Sequence, residues 1–437
     1  MNALALLLTS LALPTTAEAS YPRLEIHAEL LNLLVLRSDG DFDRTPPLYD
    51  EEGQSIGALA SVFRPSIAFE PLADLRLFYE AELGLNYWSK NNPDQESALG
   101  PDIFVLKQRQ IYAAGELLDR RLAFKVGYQY LGDPTELFVG HWLGAAAIGY
   151  RFAEQRRVDF LVAQVPDQTY EGLDLLHNNF SHDIFVLGPT ARWRFGPELQ
   201  VAGGVIGLYD GSVVRQPRWL AAPALHVEGR AGDLSGALDG VLQAGQVRGA
   251  ALGGADQNLL AWAGQGHGSY RAHRLGIDLN LLALSPDDAD DGNVNSGSFL
   301  YSSRSRSATM LLTEDPIRNW YDQLDRRLAS YRGGFWEHRA GLLVADLKAS
   351  FDATEHLRPA LVVAGASVLQ PDNALGEWLV GIESDVVLEL HLTRFLVANL
   401  AWGVLVPGGA AAAIVNRISR TATDPVSSLE ASLLVCY

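Results

Sequence analysis

The sequence predicts an all-β fold, a transmembrane antiparallel up-and-down β-barrel of about eighteen strands. From Arg23 to the end of the chain, segments of alternating apolar and polar residues recur, and their connections are alternately short and long. A period of two is the pattern of a strand with two different faces, and alternating connection lengths are typical of outer-membrane barrels. Because Gly and Ala blur the faces of several segments, sixteen or fourteen strands are the alternatives.

The clearest strand is the stretch 74–88, DLRLFYEAELGLNYW. Its odd positions from Leu75 to Tyr87 are all apolar, whereas Glu80 and Glu82 lie on the other face. A strand needs only about nine to eleven residues to cross a bilayer, so this one is long enough to extend beyond it. We expect the apolar face to contact lipid and the charged face to line a water-filled lumen.

Residues 1–19 are typical of a secretory signal peptide. An apolar run from Ala3 to Leu13 is followed by Pro14 and by a small-residue cleavage site that ends at Ala19. Residues 20–437 then form a single barrel domain. The outer membrane of a Gram-negative bacterium is the predicted location.

The C-terminal region supports closure of the barrel. The uncharged run 395–416 is not expected to be a membrane helix, because Pro407 and two glycines interrupt it, and a strand followed by a turn is expected instead. The last segment, 426–437, alternates up to the aromatic Tyr437. Pairing with the first strand would leave no exposed strand edge.

The composition excludes several classes of partner. The chain carries 34 basic and 52 acidic residues, a net charge of −18, which argues against nucleic acid. Its single cysteine, Cys436, excludes an intramolecular disulfide. No cysteine or histidine cluster has zinc spacing, so no metal or cofactor is predicted. The expected partners are outer-membrane lipid, a polar solute or polysaccharide and, for export, periplasmic export components.

The polar strand faces predict two charged walls in the lumen. The basic wall, on candidate strands four to eight, comprises Lys107, Arg109, Arg121, Lys125, Arg151, Arg157, Arg192 and Arg194. The acidic wall, on candidate strands sixteen to eighteen and one to three, comprises Glu25, Glu29, Glu80, Glu82, Glu383, Asp385, Glu389 and Glu430. Opposed walls set a transverse field that orients dipolar solutes and penalises apolar ones. Alternatively, these charges pair locally and only stiffen the barrel.

The longest connection, 284–338, contains a predicted short helix at 316–328. Asp315 caps its start before Pro316, and Trp320 and Tyr321 belong to an apolar stripe at helical spacing. We interpret Asp315, Trp320 and Tyr321 as a constriction or lid at the pore mouth. The alternative is a helix that packs over the rim.

Two other patterns are weaker. His267 and Ser269 share a strand face, as in small lipid A deacylase barrels, but the glycines beside them favour packing or a turn, so no catalytic residue is predicted. The acidic loops 39–50 and 287–291 are interpreted as solvated, with a divalent-ion site as the alternative. Asp39, Asp41, Asp43 and Asp50 match a calcium-loop spacing, but Arg44 stands where such a loop needs glycine.

Two stretches resemble the alginate-export family. VGIESDVVLELHLTRFLVANLAWGVLVPGG, residues 380–409, is similar to the family's Gly-x-Glu-x-Asp strand, polar turn, returning strand and Pro-Gly end. FKVGYQYLGDP, residues 124–134, resembles its Val-Gly-Arg-Gln strand, with Tyr128 where an arginine is usual. The resemblance implies an eighteen-stranded export barrel with Glu383, Asp385 and Gln129 in the lumen. The family's lumen is strongly basic and this polar face is mixed, so alginate itself is not the expected solute.

The sequence therefore favours an outer-membrane channel for polar solutes, with a polysaccharide export conduit as its most specific form. A long-chain apolar-substrate transporter is one alternative, although such proteins begin with a plug and here Arg23 already starts a strand. A structural or adhesion barrel with an occluded lumen is another alternative. A lipid-modifying barrel enzyme is the least favoured.

Overall fold

The structure is a computed structural model. It describes residues 21–38, 56–90, 104–165, 184–211, 217–249, 256–287, 294–295, 301–302, 306–313, 339–415 and 423–436. Within these ranges the chain is built almost entirely of antiparallel strands, with one short α-helix, α1, at Gly409–Val415 and one 3₁₀ turn at Pro371–Ala374.

The strands are numbered in chain order. They are β1 Arg23–Arg37, β2 Ile56–Leu72, β3 Leu75–Lys90, β4 Phe104–Leu117, β5 Leu122–Gly132, β6 Val139–Ala153, β7 Arg156–Val165, β8 Ile184–Phe195, β9 Leu199–Asp210, β10 Arg218–Ala231, β11 Leu234–Val247, β12 Gln257–Ala272, β13 Leu275–Leu284, β14 Val294–Asn295, β15 Tyr301–Ser302, β16 Leu342–Phe351, β17 Leu357–Ser367, β18 Leu379–Thr393, β19 Leu396–Pro407 and β20 Val426–Cys436.

Eighteen of these strands form a closed ring. Each pairs antiparallel with its neighbours, β13 pairs with β16, and β20 closes on β1 from Glu29 opposite Cys436 to Arg37 opposite Ser428. The other two, β14 and β15, are two-residue strands that pair in parallel with β12 and β6. The predicted eighteen-stranded antiparallel barrel is therefore confirmed.

The two ends of the barrel differ. Short turns such as 73–74, 154–155 and 394–395 lie at the end where β1 begins and β20 ends. Longer connections such as 133–138, 285–341 and 408–425 lie at the opposite end. We call them the short-turn end and the long-loop end.

The outer surface of the ring is apolar, as the two-residue period predicts. Large side chains such as Ile26, Val126, Phe160 and Leu238 are exposed along every barrel strand except β20, whose outward residues are half-buried. The residues between them carry the charges and the small side chains. Because lipid must cover the outside, the exposed apolar positions identify the outward face and assign the others to the lumen.

The buried core lies inside the lumen, towards the long-loop end. Lumen-facing apolar side chains, including Leu208, Leu282 and Leu342, pack there against inward-folded stretches of the connections 133–138, 306–313, 371–374 and 409–415. Leu137, Phe138 and Met310 in these stretches are completely buried. The described part of the lumen is therefore filled with protein at this end and lined by charged side chains at the other.

Helix α1 is part of this filling. The sequence predicts a turn after the strand that ends near Pro407, and the structure has a seven-residue helix there instead. Its small side chains, Ala410 to Ala412, are fully buried, and Ala410 and Ala411 belong to the cluster that includes Val380 and Leu405. Among the described residues, no helix is both long and apolar enough to cross a membrane.

Several predicted features lie outside the described residues. They are the signal peptide 1–19, the acidic loop at 39–50, the stretch 288–291, the helix 316–328 with Asp315, Trp320 and Tyr321, and the terminal Tyr437.

Candidate functional site

The predicted acidic-wall residues lie on the lumen face of their strands. On β1, Glu25 and Glu29 alternate with the exposed Ile26 and Leu30. The same alternation places the remaining members in the lumen: Glu80 and Glu82 on β3, Glu383, Asp385 and Glu389 on β18, and Glu430 on β20.

Most of the predicted basic-wall residues also face the lumen. By the same alternation these are Lys125 on β5, Arg151 on β6, Arg157 on β7, and Arg192 and Arg194 on β8. Arg121 lies in the turn between β4 and β5. The backbone of Lys107 lies on β4 in register with Glu82. Arg109 lies on β4 at an irregularity in its pairing with β3.

A buried row of charges crosses β2, β3 and β4. The Glu82 carboxylate accepts a hydrogen bond from Arg64 Nε at 2.7 Å and two from Arg109, at 2.7 and 2.8 Å. The Arg109 guanidinium also lies over the Trp142 ring, 4.5 Å from its centroid. Glu82 and Arg109 therefore satisfy each other locally, although the sequence places them on opposite walls.

Nearer the short-turn end, many lumen charges form pairs with neighbours. Arg157 lies 2.5 Å from Asp159, Arg271 lies 2.8 Å from Asp278, and His391 lies 2.5 Å from Glu389. Arg151 approaches Glu116 at 3.6 Å. Apart from the buried Asp278, these groups are partly exposed, so each pair leaves charge accessible to a solute in the lumen.

Among the described contacts, the two arginines on the lumen face of β8 are an exception to this pairing. Arg192 is exposed and lies directly opposite Arg157 across the β7–β8 ladder. Arg194, on the same face, donates to Gln200 Oε1 at 3.4 Å. Like charges that face each other across strands repel. The lumen faces of β7 and β8 carry three arginines and one carboxylate, Asp159, so this side of the lumen has an excess of positive charge.

Aromatic rings and cations alternate on the adjoining side of the lumen. Lys125 Nζ lies 4.0 Å from the Tyr112 ring centroid, and Tyr112 stacks on Phe78 at 5.0 Å. The Arg76 guanidinium lies 5.8 Å from the centroid of Phe78. Cation–π contacts of this kind hold both cations against the wall.

Asp239 is the first anchor of a segment that enters the lumen. We call Arg306–Thr313 the lumen segment. Asp239 Oδ2 accepts hydrogen bonds from Arg306 Nε at 3.1 Å and Gln265 Nε2 at 3.0 Å, and its Oδ1 lies 2.6 Å from His226 Nδ1. The side chain of Asp239 is fully buried under these three partners.

Asp346 is the second anchor. Its side chain is buried beside Ser307 and Ala308 of the lumen segment, and its Oδ1 accepts a hydrogen bond from Asn280 Nδ2 at 2.7 Å. His267 Nδ1 lies 2.7 Å from Asn280 Oδ1. These contacts extend the polar network across β12, β13 and β16.

His267 and Ser269, the pair considered as possible catalytic residues, both lie in this polar network. His267 Nδ1 lies 2.7 Å from an asparagine oxygen, Asn280 Oδ1, and Ser269 lies near Asp278. A Ser–His pair needs a carboxylate or an equivalent group to orient and stabilise its imidazole. The described contacts place His267 and Ser269 in the polar network of the lumen wall.

Glu383 is the third anchor and the most strongly bonded. Its Oε1 accepts the backbone N–H groups of Met310 and Leu311, each at 2.7 Å, and its Oε2 accepts that of Leu312 at 2.7 Å. Asp385 Oδ2 lies 3.2 Å from the Met310 nitrogen. Glu383 and Asp385 are fully buried, so both predicted wall carboxylates are used to hold the lumen segment.

A smaller carboxylate-centred turn shapes the 133–138 connection. The Asp133 carboxylate accepts the backbone N–H groups of Thr135, Phe138 and Val139 and also binds the Thr135 hydroxyl. Burial raises the pKa of the Asp133 carboxyl, and these hydrogen bonds offset part of that rise. The turn fixes Leu137 and Phe138 inside the lumen.

Sequence reasoning missed Asp239, Asp346, Arg306 and Met310. Asp239 and Asp346 are the only carboxylates on the lumen faces of β11 and β16, which is the signal that could have identified them as anchors. Arg306 and Met310 lie in a loop without periodicity, and no local pattern marks them. Among the described residues, no group of three or more His, Cys, Asp or Glu side chains could hold a metal ion.

Comparison with solved structures agrees with this architecture. The chain is similar to Pseudomonas aeruginosa OccK9 (OpdG), with a TM-score of 0.60, 15% identity and coverage of 94% of this chain and 98% of that one. Acinetobacter baumannii OccAB2 gives a TM-score of 0.58 and 9% identity, covering 95% and 98%. The outer membrane protein OpdK of P. aeruginosa gives a TM-score of 0.56 and 12% identity, with coverage of 94% of this chain and 99% of that one. OpdK has also been solved with vanillate. The fold is that of an outer-membrane porin.

These neighbours are Occ/OprD-family porins with eighteen-stranded barrels from Gram-negative bacteria. No protein-family profile matches the chain, and no curated protein is similar to it in sequence. Nothing in the comparisons supports the alginate-export family in particular.

Proposed function

We propose that this protein is an outer-membrane channel that passes small polar solutes, with a preference for dipolar ones. The porin fold supports a channel in the outer membrane. The observation that carries the solute preference is the segregation of charge on the lumen wall.

The two sides of the lumen have opposite excess charge. On the described lumen face of β6–β8, four arginines, Arg151, Arg157, Arg192 and Arg194, accompany one carboxylate, Asp159. On β20 and β1–β3, six glutamates, Glu25, Glu29, Glu70, Glu80, Glu82 and Glu430, accompany three arginines, Arg23, Arg64 and Arg76, among the described side chains. A field across the lumen orients a zwitterion, whereas an apolar solute gains nothing from it and loses contact with water.

The filling of the long-loop end favours small solutes over polymers. The lumen segment, α1 and the 133–138 connection all occupy space inside the ring. A polysaccharide would have to pass these buried, well-anchored stretches, and the comparisons give polysaccharide export no support. The exposed apolar side chains lie on the outer surface, while the lumen at the short-turn end is charged, which disfavours a carrier of apolar chains.

Liposome swelling tests this proposal. Purified protein in liposomes is exposed to three solutes of similar size: a zwitterionic amino acid, a neutral polyol and an apolar ester. We expect the zwitterion to enter fastest, and the apolar ester to enter no faster than in protein-free liposomes. Equal protein-dependent entry rates for the zwitterion and the polyol would contradict the proposed preference for dipolar solutes. If the protein speeds the entry of neither solute, the proposed channel function is contradicted.

Vanillate is a useful additional solute. It is found in a solved structure of OpdK and is a small carboxylate with a polar ring. If the basic side of the lumen guides anionic groups, vanillate should enter faster than a neutral aromatic alcohol of similar size. Preloading the liposomes with high salt should reduce this difference, because salt screens exposed charges.

A further inference from the structure

The lumen segment is held by an unusual set of contacts. Thr309 Oγ1 lies 2.7 Å from Thr313 Oγ1 and accepts the Thr313 backbone N–H at 3.1 Å. This closes residues 309–313 into a compact turn. The turn points the three intervening backbone N–H groups in one direction and forms a concave anion-binding nest of the kind that successive amides create.

Glu383 fills this nest with a single carboxylate. Both of its oxygens accept hydrogen bonds, and in each of the three bonds the backbone nitrogen lies 2.7 Å from the carboxylate oxygen. A hydrogen bond to an ionised acceptor is stronger than a neutral one, and it is stronger still in a buried site. Asp385 lies beside Glu383, and its Oδ2 is 3.2 Å from the Met310 nitrogen, so two carboxyl groups face the nest.

The neighbouring strand is adapted to this arrangement. Gly403 lies on β19 directly opposite Asp385. A Cβ at Gly403 would lie 2.3 Å from Asp385 Oδ1 and 3.1 Å from Met310 Sδ. Only glycine therefore leaves room for both the carboxylate and the Met310 side chain at this place.

We propose that Glu383 is the positioning residue for the narrowing of the channel: its carboxylate latches the nest Met310–Leu312 inside the lumen and so fixes the cross-section and charge that a solute meets. The inference rests on the proposed channel function and deepens it. The other two anchors, Asp239 and Asp346, hold the first half of the same segment. Without Glu383 the second half has no comparable attachment among the described contacts.

Release of the lumen segment has a predictable electrical consequence. The segment covers Asp239 and Asp346 and carries Arg306 against Asp239. If it leaves, these carboxylates face the lumen and Arg306 no longer neutralises them. The channel should then conduct more and become more selective for cations.

The test replaces Glu383 by Gln, which keeps the size of the side chain and removes the anion. In planar bilayers, E383Q should have a higher single-channel conductance than wild type and a reversal potential shifted towards cations. If Glu383 were only one more wall charge, its loss would leave selectivity unchanged or shift it towards anions, with unchanged conductance. That result would overturn the proposal.

Two variants provide matched comparisons. E389Q removes a carboxylate from the lumen face of the same strand, nearer the short-turn end, and should shift selectivity towards anions without raising conductance. E355Q alters an exposed carboxylate in a short turn and should change neither property. A conductance rise in E389Q equal to that in E383Q would also contradict the latch.

Amide hydrogen exchange tests the latch independently of conduction. In the folded barrel in detergent, the amides of Met310, Leu311 and Leu312 should exchange at least about tenfold faster in E383Q than in wild type, because each loses a hydrogen bond to an ionised acceptor. E383D, which keeps the charge on a shorter side chain, should lie between the two. Unchanged exchange in E383Q overturns the latch, whereas absence of conductance in the wild type alone overturns the channel.

Discussion

The Arg109 guanidinium and the Glu82 carboxylate form two hydrogen bonds, from Nε at 2.7 Å and from Nη2 at 2.8 Å. Both side chains are nearly completely buried, and Arg64 donates a third bond to the same carboxylate. A buried, bidentate ion pair of this kind stabilises the geometry of the wall only while both partners are present.

Loss of Glu82 should therefore destabilise the barrel. Replacing Glu82 by Gln removes the buried carboxylate that binds Arg64 and, with two hydrogen bonds, Arg109, and the expected loss is about 3–5 kcal/mol. Urea unfolding in detergent measures it. The control is E116Q, which alters a partly exposed carboxylate that pairs with Arg151 at 3.6 Å and should cost less than about 1 kcal/mol. Equal losses in both variants would argue against a special role for the buried pair.

Removing the exposed arginines of β8 should alter selectivity. In the double variant R192A/R194A the basic side of the lumen loses two charges, so the reversal potential in a salt gradient should shift towards cations. R120A removes an arginine from an exposed short turn and serves as the control, with no shift expected. Identical selectivity in R192A/R194A and wild type would show that these arginines exert no field on permeating ions.

Removing charges from the acidic side of the lumen should shift the reversal potential in the opposite direction. Glu25 and Glu29 both face the lumen on β1, and the double variant E25Q/E29Q should shift the reversal potential towards anions. Addition of salt should reduce the shift, since exposed charges are screened beyond about 10 Å at 0.1 M ionic strength. If the reversal potential of E25Q/E29Q shifted in the same direction as that of R192A/R194A, the proposed transverse field would be contradicted.

Gly403 should be intolerant of a side chain. In G403A the added methyl group must displace Asp385 or Met310, because its Cβ would lie 2.3 Å from Asp385 Oδ1. We expect faster amide exchange at Met310–Leu312, with the barrel still folded. G365A is the matched control, because no heavy atom lies within 4 Å of a Cβ built on this strand glycine. Equal protection of the three amides in G403A and wild type would contradict the close packing.

The strand faces could be predicted from sequence because lipid imposes a strict period of two. Ile26 and Glu25 illustrate the rule, which holds along most of β1, β3, β8 and β18. It fails on β4, where Arg109 and Ile111 are two residues apart, yet Arg109 binds Glu82 while Ile111 is exposed on the outer surface. The pairing of β3 and β4 shifts by one residue at this point. A bulge of this kind breaks the alternation, and no sequence pattern here marks it.

The lumen segment could not be predicted, for a different reason. Its main contact joins Leu311 to Glu383, residues that are 72 positions apart. The N–H groups that bind Glu383 belong to the backbone, which every residue carries, so no side-chain type reveals them. Sequence reasoning assigned Glu383 to a charged wall that faces solutes, and the structure shows it buried beneath the segment that it holds.

The most direct test of the account is single-channel recording of the purified wild-type protein in planar bilayers, with folding verified beforehand by its mobility on unheated gels. The account predicts stepwise insertion of discrete conductances that persist at low voltage. It also predicts reversal potentials that shift towards cations in R192A/R194A and towards anions in E25Q/E29Q. Folded, inserted protein that shows no conductance at any voltage, in the wild type and in E383Q alike, would contradict it and indicate a barrel with an occluded lumen.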